Sequence, residues 1–269
     1  MKHDTDQLLQ QALSPQEEPD SRLNQRILQH FEEEEHMKLN KKRIPFGILA
    51  AAFVLLVGSI SVFAAWRYLK PDEVADMFED SKLAEAFRGE DAVYINETQE
   101  YGGYRVTLLG VTSGRSITDH PYFKDDILQD DQTYIVVALE NADNTPLPSV
   151  SDENYGEISF FVSPIIQGLN PAFYNVMSMG GAYTEYVVDG IQYRLVSCDN
   201  VEMFADRNLY LCVSDTPFYA GEAFIMDEAT GEFYRNGDYS GLNAVFRLPL
   251  DETKADPAAA EAYIESLGF

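Results

Sequence analysis

The run IPFGILAAAFVLLVGSISVFAAW, Ile44 to Trp66, constrains this chain more than any other stretch, because its 23 residues include no charged side chain. A helix rising about 1.5 Å per residue covers the ~30 Å hydrocarbon core of a bilayer over that length. Lys41, Lys42 and Arg43 precede the run, Arg67 and Lys70 follow it, and Trp66 and Tyr68 fall where an interfacial aromatic belt sits. The stretch reads as one transmembrane helix over 44–66. A cleaved leader starting at Met37 is the rival reading, with a basic beginning and Ala64 and Ala65 at its end. Its apolar run exceeds the ~7–15 residues usual for such a leader. A core helix apolar on every side is the third reading, and soluble cores rarely hold one this long.

Flanking charge orients the span. The Lys41–Lys42–Arg43 cluster favours an N-terminus on the cytoplasmic side, since short basic segments stay inside. Residues 67–269 carry 12 Lys and Arg against 36 Asp and Glu, a net of −24, whereas residues 1–43 carry 7 against 9. So acidic a domain repels nucleic acid and anionic lipid, and an extracellular position suits it.

Residues 1–43 read as two short amphipathic helices broken at Ser14-Pro15 and Pro19. Leu8, Leu9 and Leu13 share one face; Leu23, Ile27, Leu28 and Phe31 recur at helical spacing on the second. A segment this short cannot bury a core of its own, so the stripes lack cover within the chain. They suit docking into a groove of a cytoplasmic partner; a tail that only spaces the span is the plainer alternative. His30 and His36 lie six residues apart with no cysteine near them, so no metal site is expected there.

Residues 67–90 read as an amphipathic juxtamembrane stalk. Pro71 suits the first turn, Asp72 and Glu73 the helix N-terminus and Gly89 the stop. Val74, Phe78, Leu83 and Phe87 on the apolar side are expected to dock on the following domain or the membrane surface, a simple spacer being the alternative. From Asp91 the period changes to two. Strands are expected in AVYINETQEYGGYRVTLLGVTSG about Gly102-Gly103, in QTYIVVALEN and in GEISFFVSP. Others follow in AYTEYVVDGIQYRLVSCD about Asp189-Gly190, in NLYLCVSD, in AFIMDEATGEFYRN about Thr230-Gly231 and in LNAVFRLPLD. QTYIVVALEN is apolar on both faces and reads as a central strand. About nine strands without long helices between them predict a mainly β domain over 91–269, an antiparallel β-sandwich of immunoglobulin-like type. A short helix closes it, with Asp256 as cap, Pro257 at its first position and Gly268 as stop. The tyrosines and phenylalanines of this region are expected mostly in its core.

Cys198 and Cys212 are the only cysteines and fall on consecutive predicted strands. Facing each other across a hairpin outside the cell, they would form a disulfide worth about 3 kcal/mol; two buried thiols are the alternative. No catalytic motif appears: His120 stands alone in a polar loop, and no nucleophile elbow, zinc-protease or phosphate-loop pattern occurs. Asp125, Asp126, Asp130 and Asp131 lack the spacing and central glycine of a calcium loop and read as a solvated cluster. The chain is therefore expected not to be an enzyme and to need no cofactor or metal.

Three stretches carry a resemblance. LLQQALSPQEEPDSRLNQRIL in the tail, LAEAFRGEDAVYINETQEYGGYRVTLLGVTSG after the span, and QYRLVSCDNVEMFADRNLYLCVSD with GLNAVFRLPLD resemble a family of single-pass envelope proteins of Gram-positive anaerobes. Its outer domain is of unknown function. Such proteins are similar in layout to anti-sigma factors, which join a cytoplasmic binding segment, one span and an outer sensing domain. The resemblance implies that Leu8, Leu9, Leu13, Leu23, Ile27, Leu28 and Phe31 form a surface for a sigma factor. A surface-displayed binding or structural module without a signalling partner is the other reading, and in both an outer ligand or protein is unidentified.

Overall fold

The computed structural model describes residues 67–124 and 126–268. Residues 1–66, with the expected tail and span and the expected partner surface from Leu8 to Phe31, lie outside the described residues. No helix among the described residues is long and apolar enough to cross a membrane.

The described part is mainly β, and its paired strands are all antiparallel. Twelve strands run from β1 (Val93–Tyr101) through β2 (Tyr104–Arg115), β3 (Tyr122–Lys124), β4 (Ile127–Gln129), β5 (Asp131–Asn141) and β6 (Phe161–Ile166). The second half comprises β7 (Ala182–Val188), β8 (Ile191–Asp199), β9 (Leu209–Ser214), β10 (Phe224–Met226), β11 (Phe233–Arg235) and β12 (Asn243–Leu248). A five-stranded sheet has the order β1-β2-β5-β8-β7 and a three-stranded sheet the order β12-β9-β6, while β3-β4 and β10-β11 are separate hairpins. The sheets stack as a sandwich, and the core between them takes Val106 and Leu108 from β2, Ile135, Val137 and Leu139 from β5, and Leu211 and Phe246 from the smaller sheet.

The tight turns follow from backbone freedom. Gly102 and Gly103 between β1 and β2, and Asp189 and Gly190 between β7 and β8, all have positive φ, as a two-residue turn matching strand twist requires. β5 is buried along nearly its whole length, the central strand that its two apolar faces predicted. Its alternate residues Tyr134, Val136 and Ala138 point away from the sandwich and belong to a second core.

That second core is where the apolar side of residues 67–90 docks on the following domain, while the helix expected there is broken in two. Residues 67–90 form α1 (Pro71–Met77) and α2 (Ser81–Arg88), a strap laid across the outer face of the large sheet. The break comes at Glu79, whose φ is +60°, and at Asp80, whose carboxylate accepts from Leu83 N at 3.0 Å and so caps α2. Val74, Ala75, Leu83, Ala84 and Phe87 have no exposed surface. A bulge between Leu108 and Gly110 in β2 inserts Leu109 on the strap side. A Cβ at Gly110 would stand 2.9 Å from Pro71 Cγ, so this glycine lets the strap approach the sheet. α3 (Pro257–Leu267) starts on Asp256 and ends at Gly268, and it buries Ala260 and sets Tyr263 edge-on to Phe204.

The cysteines are placed differently from the hairpin expectation. β8 and β9 follow one another in sequence but lie in different sheets: Cys198 stands opposite Thr133 of β5, and Cys212 opposite Ser163 of β6 and Val245 of β12. Both are free, fully buried thiols, and burial pushes their pKa values far above the ordinary thiol range.

Two outcomes test this packing. Phe87→Ala, which empties a site without exposed surface, is expected to cost about 3–5 kcal/mol in denaturant unfolding; a cost below about 1 kcal/mol would mean that the strap is not docked. A water-soluble disulfide reagent is expected to label neither thiol in the folded protein and both after denaturation, with no change in melting midpoint on adding reductant.

Candidate ligand groove and its helical wall

A groove of ≈ 730 Å³ lies where the strap stops covering the sheet, within the ~300–1,000 Å³ range of small-molecule sites. Its floor is the outer face of three strands. Gln132 and Tyr134 come from β5, Leu195 and Ser197 from β8, and Ala182, Thr184 and Tyr186 from β7. They share a face because strand residues alternate and the register sets Tyr134 opposite Ser197 and Ala182 opposite Ser197 in turn. Met77, Phe78 and Glu79 at the end of α1 form one wall, Thr118 and His120 another, and Gly180-Gly181 closes the side toward β7.

The lining is aromatic and short of positive charge. Phe78 and Tyr186 stack with centroids 5.1 Å apart and planes at 21°, joining the strap to the edge strand. Tyr183 is 61 % exposed, and its ring already carries the Arg194 guanidinium at 4.2 Å. Arg194 is held in turn by Glu185, at 2.6 and 2.8 Å, and by the Phe160 carbonyl. Asp80, buried beneath the wall, accepts from Leu83 N, Asp119 N and the Thr118 hydroxyl, so its carboxylate is committed to holding the strap and the 118–120 loop together. In the floor, Tyr134 donates to Gln132 Oε1 at 2.7 Å, but the Gln132 amide Nε2 is buried without a hydrogen-bond partner. A buried orphan donor costs about 1–3 kcal/mol.

The strap that walls this groove is anchored at its other end. Glu140 on β5, almost fully buried, accepts from Arg67, from Tyr68 Oη at 2.5 Å and from Arg105 Nη1 at 3.0 Å. Arg67 also reaches Asn144 Oδ1 at 2.9 Å, and Arg105 reaches the Ala142 carbonyl. Burial works to raise the Glu140 pKa, but the hydrogen bonds from Tyr68, Arg105 and Arg67 outweigh it and hold the carboxyl below its usual range. Tyr68, desolvated beside this carboxylate, is pushed up to about 12. The anchor and Gln132 sit near opposite ends of β5, eight residues apart, or about 27 Å at strand rise.

The residues singled out from sequence do not converge here. The stripe Leu8, Leu9, Leu13, Leu23, Ile27, Leu28 and Phe31 is outside the described residues, and Cys198 and Cys212 are in the sandwich core. Of the acidic cluster, Asp130 accepts from the Ser116 hydroxyl and Asp131 from Asn200, both also paired with Arg115. Among the described residues no group of His, Cys, Asp and Glu is arranged to hold a metal ion. His120, which read as an isolated loop residue, lines the groove. Phe78, Tyr134, Tyr186 and Gln132 went unremarked as a site because they come from three separate elements. The strand AYTEYVV held the one local signal, tyrosines among polar residues where a core strand would be apolar.

Glu140 makes stability depend on pH. Its folded pKa is depressed, so its contribution is present above the unfolded value near 4.5 and is lost as pH falls through the folded value. Glu140→Gln is expected to cost about 1–3 kcal/mol at pH 7 and to flatten the acid limb of the stability curve below about pH 4.5. An unchanged acid limb would show that the anchor is not ionised as described.

No protein-family model matches the chain, and no curated protein or solved structure matches it.

Proposed function

We propose that the chain is a single-pass, membrane-anchored signalling regulator, anti-sigma-like in layout, whose outer domain is a ligand-binding sandwich of immunoglobulin-like type. The observation that carries this reading is the path of the strap. Arg67 and Tyr68, the first residues after the apolar run, are fixed to Glu140, and the same strap supplies the Phe78–Glu79 wall of the groove at the junction of its two helices. A ligand in the groove would touch the element that continues directly into the span. A change in how α1 sits on the sheet is then available to both sides of the membrane, which is what two-state coupling between sites requires. On the cytoplasmic side the tail would present Leu8, Leu9, Leu13, Leu23, Ile27, Leu28 and Phe31 to a sigma factor.

Co-purification of the full-length chain with each sigma factor of its source organism tests the reading. One sigma factor is expected to be retained and to be lost with the double change Leu23→Asp and Leu28→Asp. If none is retained, or if deleting residues 1–36 leaves every transcript unchanged, the domain is a displayed binding module instead.

A further inference from the structure

We infer that the groove takes a small organic cation of the alkylammonium type, an inference that rests on reading the groove as the ligand site of the domain. Three features of the lining select this chemistry. Among the described residues no lysine or arginine lines the groove and His120 is its one basic side chain, while Glu79 stands on the rim, so a cation finds a counter-charge there. The surrounding residues 67–269 carry a net −24, which enriches cations at any concave face of the domain. The wall and floor bring the rings of Phe78 and Tyr186 to the groove, and a cation over an aromatic face is attracted by the ring quadrupole. Arg194 against Tyr183 already uses the same contact at the margin of the groove.

The orphaned Gln132 amide adds a second requirement. It is a donor at the floor, 3 % exposed and unpaired, and an oxygen acceptor on the ligand would satisfy it. A compound with an ammonium head, a short apolar stem and a hydroxyl or carbonyl oxygen meets both demands. Neutral apolar compounds of the same shape would fill the volume but forgo the rings' electrostatic attraction and the Glu79 carboxylate.

Choline and its uncharged isostere 3,3-dimethylbutan-1-ol separate charge from shape. The full-length chain, purified in a maltoside detergent that itself lacks choline, is titrated with each by calorimetry. Choline is expected to bind about tenfold tighter than the isostere, the ratio that the ring and carboxylate contacts together supply. Tyr186→Leu is expected to weaken choline about three- to fivefold, and Glu79→Gln to weaken it while leaving the isostere and the melting midpoint unchanged. Equal binding of the two compounds would overturn the cation assignment and leave a groove selective for shape. Binding of neither would overturn the inference while leaving the sigma-factor test of the tail to stand or fall by itself.

Discussion

A strand buried on both faces must be covered twice, and β5 imposes that constraint on the whole domain. Ile135, Val137 and Leu139 are covered by the smaller sheet, as in any sandwich. Tyr134, Val136 and Ala138 would face water if the chain began at the sandwich, so the segment before β1 has to return and cover them. The strap is thus part of the fold rather than a spacer. Full burial of a side chain such as Leu83 or Phe87 contributes about 1.5–3 kcal/mol, and these contacts hold two helices that would not persist alone at their length. Pinning Arg67 and Tyr68 to Glu140 then fixes where the covering segment starts.

Where the strap stops short, the sheet is left uncovered, and the groove occupies that gap. Its floor continues the outer face of β5, β8 and β7 beyond the last turn of α1, so rings and short polar side chains alternate along it. The buried Asp80 carboxylate, with its three donors, is the corner of the gap, since it ties the start of α2 to the Thr118 hydroxyl and the Asp119 backbone N–H.

Local physics made much of this legible in the sequence. Positive-φ turn pairs at Gly102-Gly103 and Asp189-Gly190, the doubly apolar QTYIVVALEN and the Asp256-Pro257 helix start are each decided by residues within a few positions of one another. What depended on partners distant in sequence was not legible. The chain crosses between sheets after Cys198, so β8 and β9 are neighbours in sequence but not in hydrogen bonding, and the disulfide expectation fell with that assumption. The strap break hung on Asp80 acting as a cap, a signal masked by a continuous amphipathic pattern on either side. The groove joins residues from 77 to 197, and only the sheet register brings them together.

The docked strap also decides what a protease could reach. Proteolytic enzymes bind their substrates as extended chain, and α1 and α2 are helical, capped at both junctions and pressed onto a sheet. The peptide bonds of residues 71–88 are therefore shielded for as long as the second core stays intact, and they become cleavable only in a state that lifts the helices away. Because the sandwich is joined through those bonds to everything N-terminal to it, the same apolar contacts that complete the fold govern whether a protease can separate the two.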